Sequence, residues 1–267
     1  VGTEERTALR RELGAHLRAA RAQVTPADVG LNGGGRRRAP GLRREEVAAL
    51  AGVSVAWYTW LEQGRVATSR QVVEAVCAAL RMPPAARRHA LALAGFLPEP
   101  AEADRPPDPG PFAELVEAWA GVPAAVADER FDVLAANAAY RGLWGDPAAE
   151  PGAGNILLRL ASSAGGRARP VDPEPVLRGL YEQFRSFTGH SPEDPRAAEV
   201  VRALTELRPD AAHWWACRSV RDFAPMEVAV ADAAGRRSVL TFSLLRPVSA
   251  AGAVILAQTP AGAGRRF

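Results

Sequence analysis

A chain of 267 residues has room for about two domains, and a 48% hydrophobic content lets each of them bury a core. The net charge of +3 hides an asymmetry: residues 1–98 hold 15 arginines against 8 acids (+7), whereas residues 99–267 hold 18 against 22 (−4), so a polyanion suits the front half and is disfavoured as a partner of the back half. The absence of any apolar run of about 18 residues excludes a membrane-spanning helix, and the two cysteines, Cys77 and Cys217, show neither metal-ligand nor disulfide spacing.

All 33 basic residues are arginine, a bias expected of a GC-rich bacterial genome and without functional content. The first residues alternate acids and arginines with no apolar stretch, so no signal peptide is expected. With unpaired cysteines, that composition implies a cytoplasmic location.

In chain order, Leu9, Leu13 and Leu17 recur every fourth residue and predict a helix over 7–23. Thr25 and Pro26 suit a short capped turn. The segment Gly30–Gly41, with Gly33-Gly34-Gly35 and then Arg36-Arg37-Arg38, reads as a loop, because glycines lower its order and arginines repel one another. A second helix is predicted over 43–51, ending at Gly52, and a third after Ser54, ending at Gly64. Val47, Leu50, Val53, Tyr58 and Leu61 are expected to face inward. Helices starting near Ser69 and at Pro83-Pro84 complete a five-helix unit over 1–97. Residues 98–111, rich in proline and acids, are expected to be a stiff linker.

The remainder, 112–260, mixes types. A helix over 112–120 precedes a hairpin of Ala124–Ala127 and Phe131–Ala136. Asn137 is placed to cap a helix carrying Tyr140 and Trp144. Further helices are predicted near 153–162, 173–187, 194–207 and 210–217, then strands over 226–231, 237–246 and 252–258. Helices against an antiparallel meander make an α+β domain.

Two short helices joined by a tight turn, with a serine opening the second, form a helix-turn-helix pattern. The run Gly41-Leu42-Arg43-Arg44-Glu45-Glu46-Val47 through Ser54, followed by Tyr58-Thr59, Leu61-Glu62-Gln63-Gly64-Arg65, resembles the XRE (lambda-repressor-like) group. The insert from Pro26 to Glu46, with its Gly-Gly-Arg-Arg-Arg, is similar to that of the MmyB-like bacterial transcription regulators. Arg130 through Asn137, Asn155 to Leu160 and Trp214 to Val220 carry the likeness into the back half. The resemblance implies a lambda-repressor-like helix-turn-helix domain, then a PAS-like domain that binds a small apolar ligand, a fatty acid being one candidate. The chain departs from its relatives at Ala56 and Trp60, where they carry an acid and an arginine, and over Glu227–Gly235, where they carry a His-Pro before a glycine.

DNA affinity is expected to come first from phosphates. Arg43 and Arg44, at the start of the second helix, can meet them with side chains and free N–H groups, and Arg65 follows the third helix. Arg36, Arg37 and Arg38 can track the backbone or enter a narrow minor groove, or can be a merely solvated run. About five phosphate contacts predict a slope of log K on log salt of roughly −4 to −5. Base readout falls to Ser54, Val55, Ala56, Thr59 and Trp60, a face without Arg, Asn or Gln, where Val55 and Ala56 can touch thymine methyl groups. Glu62 reads as structural, paired with Arg18 or Arg21. A homodimer on two half-sites is the expected binding form.

In the back half, Leu134, Tyr140, Trp144, Tyr181, Phe184, Trp214 and Phe242 are candidates to line an apolar ligand pocket, or simply to fill a core. Arg159, Arg218 or His213 can hold a carboxylate headgroup. Catalysis is not expected. His16, His89, His190 and His213 are scattered, His213 and Cys217 alone make no zinc site, and neither a phosphate loop nor a G-x-S-x-G elbow occurs. No cofactor, metal or membrane is implied. The alternative function is a protein-interaction module with weak or lost DNA binding, motivated by the missing arginine in the third helix.

Overall fold

The computed structural model describes residues 3–31, 41–96, 108–149, 154–162, 168–189, 191, 193–211, 213–214, 218–247 and 252–262. Contacts group the chain into two units. The first is Val1–Glu99 with Thr188–Asp194 and His213–Arg221; the second is Pro100–Phe187, Pro195–Ala212 and Asp222–Phe267.

Among the described residues the regular elements of the first unit are helical: α1 (Thr3–Gln23), a 3-10 turn (Ala27–Val29), α2 (Arg44–Ala51), α3 (Val55–Glu62), α4 (Arg70–Ala79) and α5 (Pro84–Leu93). Leu13 and Leu17 of α1, Val47 of α2, Tyr58 and Leu61 of α3 and Val73, Val76 and Leu80 around α4 form its core. Each short helix starts on a local device. The Ser54 hydroxyl oxygen accepts from the Trp57 N–H at 3.2 Å, and the Ser69 hydroxyl oxygen from the Val72 N–H at 3.4 Å. Replacing Ser54 with alanine should therefore cost about 1 kcal/mol of first-unit stability in a denaturant melt. Gly52 ends α2 in the left-handed region, φ 69°.

Leu50 departs from the expected inward face and is exposed. The inward arc of α2 is set by Val47, Ala48 and the partly buried Ala51, and Leu50 falls at its edge. Cys77 is buried, and burial pushes its thiol up to about 12, so it packs as a small hydrophobe.

The second unit holds α6 (Gly110–Glu117), β1 (Ala124–Asp128), β2 (Val133–Ala136), α7 (Ala138–Trp144), α8 (Ile156–Ala161), β3 (Arg169–Pro170), α9 (Glu174–Thr188), α10 (Pro195–Leu207), a 3-10 turn (Pro209–Ala211), β4 (Met226–Ala231), β5 (Arg237–Leu245) and β6 (Ala253–Pro260). The strands form one antiparallel sheet in the order β2-β1-β6-β5-β4-β3. The C-terminal strands thus insert the chain's end, β6, beside the hairpin that begins the unit. α6 covers one face, with Val116 against Ala124, Val126 and Ile255. α9 carries a buried stripe of Val176, Leu177, Leu180, Tyr181, Phe184 and Phe187, and α8 is buried throughout and packs against α10.

Several elements differ from expectation. α1 begins at Thr3 because Glu4 and Glu5 suit a first turn. The helix predicted near 210–217 is a 3-10 turn, Pro209–Ala211, followed by helical His213 and Trp214; 215–217 lie outside the described residues. The two-residue β3 is too short to leave a periodicity in the sequence.

Candidate functional site

α3 lies along the first unit with Tyr58, Leu61 and Glu62 buried and Val55, Ala56 and Trp60 exposed; Val55 and Trp60 show 46% and 47% of their surfaces. What holds it is Glu62. Its carboxylate accepts from Arg21 Nε at 2.6 Å and from Arg44 Nε at 2.7 Å, and its carbonyl accepts from Arg18 Nη2 at 2.8 Å. One side chain thereby ties the end of α3 to α1 and to the start of α2. Arg21 also donates to the Leu42 carbonyl at 2.8 Å. The backbones approach closely here: a Cβ on Gly14 would lie 2.4 Å from the Glu62 carbonyl oxygen, so only glycine fits.

Burial raises the Glu62 carboxyl, but hydrogen bonds and charges from Arg21 and Arg44 together outweigh it and hold Glu62 below its ordinary value. A depressed carboxylate stabilises the fold above its unfolded-state value of about 4.3 and loses that contribution as pH falls through the folded-state value. Acid titration of the full chain, followed by tryptophan fluorescence, should show first-unit destabilisation setting in below about pH 4 and absent in Glu62→Gln.

Of the predicted DNA contacts, Arg43, Arg44, Ser54, Val55, Ala56, Thr59, Trp60 and Arg65 fall on α2, α3 and the turns beside them. The Arg43 and Arg44 side chains keep 54% and 43% exposure, and Arg65 is exposed. The Glu46 carboxylate accepts from the Arg43 N–H at 2.7 Å, so that amide is satisfied within α2, not held open for a phosphate. Arg36, Arg37 and Arg38 lie outside the described residues. Both hydroxyls of the readout face are engaged: Ser54 as the cap, and Thr59 Oγ1 donating to the Val55 carbonyl at 2.8 Å. Sequence reasoning passed over Gln63, exposed at the end of α3 and seven residues beyond Ala56. It also missed the Arg44–Glu62 pair, whose 18-residue separation leaves no local signal.

In the second unit a polar cluster is sealed inside. Trp144 Nε1 donates to Gln258 Oε1 at 2.5 Å, and the Trp144 ring meets Phe242 edge-on at 6.2 Å. Arg159, 6% exposed, donates to the Trp144 carbonyl at 2.8 Å and to the Ala168 carbonyl at 3.3 Å; among the described residues no carboxylate pairs with it. Burial raises the Tyr140 phenol, and the charge of Arg159 acts on it in the opposite direction. Tyr181 and Phe184 stack at 5.9 Å on α9, and Leu134 sits half-buried on β2. Trp214 and His213 belong instead to the first unit, and Arg218 is taken by Glu12 there, so it is not a free headgroup anchor.

A helix-turn-helix with a solvent-facing second helix, joined in one chain to an α+β unit with a polar cluster in its core, is the architecture of DNA-binding transcription regulators that carry a ligand-binding domain. Residues 12–90 match the family described as helix-turn-helix domain, and residues 111–265 match the MmyB-like transcription regulator ligand binding domain. The second match spans more than half of the chain, and the chain belongs to the MmyB-like transcription regulators. No curated protein matches it. The two domains together make it a regulator, not an enzyme. Among the described residues no helix is long and apolar enough to cross a membrane.

Proposed function

We propose that this regulator binds specific duplex DNA sites as a homodimer in the cytoplasm, and that its second domain, within 112–260, releases or promotes that binding on taking up an apolar ligand with an acidic headgroup, of fatty-acid type. The DNA-binding domain is assigned to 1–97 and the linker to 98–111. The carrying observation is the α3 surface: an exposed face, with exposed Arg43 at the start of α2, exposed Arg65 just past α3, and Arg44 bonded to Glu62. Phosphate neutralisation by these arginines positions the helix, and its outward residues meet base edges.

For the ligand, Arg159 is the supporting feature. A buried guanidinium bonded to two carbonyls retains a full charge that a carboxylate would offset. Trp144, Tyr140, Phe242, Tyr181, Phe184 and Leu134 are the proposed apolar lining. A ligand regulates only if it favours one of two domain arrangements over the other.

The test combines native mass spectrometry of the purified full chain with a gel shift on DNA upstream of its own gene. The proposal expects a dimer retaining a lipid-sized acid in the wild type, none in Arg159→Met, and a shift at low salt. The second reading, a protein-interaction module, is favoured by the large exposed indole of Trp60. No shift at low salt would establish it over the first.

A further inference from the structure

Resting on the DNA-binding reading, we infer that α3 reads its operator through the C5-methyl groups of thymine. The face it offers to a major groove is almost entirely carbon. Val55 and Ala56 carry only methyl-bearing side chains, and Trp60 adds an indole whose single polar atom is a donor. The Ser54 hydroxyl oxygen is held by the Trp57 N–H, and the Thr59 hydroxyl hydrogen is given to the Val55 carbonyl. Arg44, which starts α2, has its Nε committed to Glu62. Bidentate recognition of guanine or adenine therefore has no side chain on the first two turns of α3. The nearest amide is Gln63, at the far end, whereas helices of this kind contact bases with their N-terminal residues.

Among the four standard bases only thymine presents a methyl group in the major groove. Arg43 and Arg65, exposed at the start of α2 and just past α3, supply the phosphate contacts that hold an apolar surface against a polyanion. Val55, Ala56 and Trp60 become the specificity-determining residues. Loss of one contacted methyl should weaken binding roughly fourfold. Placing 5-methylcytosine where a contacted thymine stood should restore part of that loss, because it brings the same methyl group.

The experiment uses the full chain. Binding duplexes are selected from a random-core library at low salt, and the best is resynthesised with deoxyuridine in place of thymidine, singly and throughout. The inference expects roughly fourfold losses at two or more positions, tenfold or more on full replacement, and rescue by 5-methylcytosine. In Val55→Ala/Trp60→Ala the distinction between thymidine and deoxyuridine should shrink at least threefold while the salt slope stays; Gln63→Ala should keep it. Unchanged affinity on full replacement overturns the inference while leaving DNA binding intact. Equal losses in the wild type and the double variant also overturn it, since the methyl then acts through DNA shape. Failure to retain any duplex overturns the DNA-binding reading itself.

Discussion

Glu62→Ala is expected to cost the first unit about 3–5 kcal/mol and to abolish DNA retention with it. The Glu62 side chain has no solvent exposure, and two guanidinium groups converge on it. Truncation leaves Arg21, whose side chain is 17% exposed, with an uncompensated charge beside the buried Leu42 backbone. Arg44, freed from its carboxylate, loses the fixed direction that aims it outward. The cost exceeds that of removing the exposed Arg202–Glu206 pair, which is worth at most about 1 kcal/mol. A urea melt of the full chain followed by tryptophan fluorescence reads the difference. A loss under 1 kcal/mol would show that Glu62 is not the tie between α1, α2 and α3. Arg44→Met separates the two consequences: it should keep more of the stability and still weaken DNA binding.

Asn137→Ala is expected to have the largest effect in the second unit, roughly 3–5 kcal/mol. Its Oδ1 accepts from the N–H groups of Tyr140 at 2.9 Å and Ala124 at 3.1 Å. Its Nδ2 donates to the carbonyls of Val116, Trp119 and Val122 at 3.0, 3.3 and 2.7 Å. One buried amide therefore caps α7, ends α6 and starts β1. Alanine leaves the Tyr140 and Ala124 N–H groups and the Val122 carbonyl without this partner, whereas the Val116 and Trp119 carbonyls keep backbone donors; each unmet buried group costs about 1–3 kcal/mol. Asn137→Asp keeps the two acceptor contacts but sets a charge against three carbonyls, so it should not rescue. A melt in which the phase of the first-unit helices is unchanged checks that the loss is confined to the second unit. A single shift under 1 kcal/mol would contradict the assignment.

How much of this was legible in the sequence follows from the range of each interaction. The Ser54 cap, the Gly52 turn and the inward Tyr58 and Leu61 depend on neighbours within four residues, so their pattern survives in the chain. Glu62 was readable as a partner of Arg18 or Arg21 through charge alone; Arg21 takes the carboxylate, and Arg18 bonds the backbone carbonyl instead. Its hold on Arg44 was not, because it depends on how α2 crosses α3. Asn137 read as a cap, but its three carbonyl contacts come from residues 15 to 21 positions earlier. Arg218 resembled a headgroup anchor until its 206-residue pairing with Glu12 appeared. The grouping of His213–Arg221 with the helical unit has no local signature at all.

The most direct test of the central claim, that α3 and its flanking arginines dock on duplex DNA, is the salt dependence of full-chain binding to a selected duplex. The wild type should show a slope of log K on log salt of roughly −4 to −5 per protomer, and Arg43→Ala/Arg65→Ala a slope less steep by roughly 2. An identical slope in the two proteins would place the DNA elsewhere on the molecule and contradict the account.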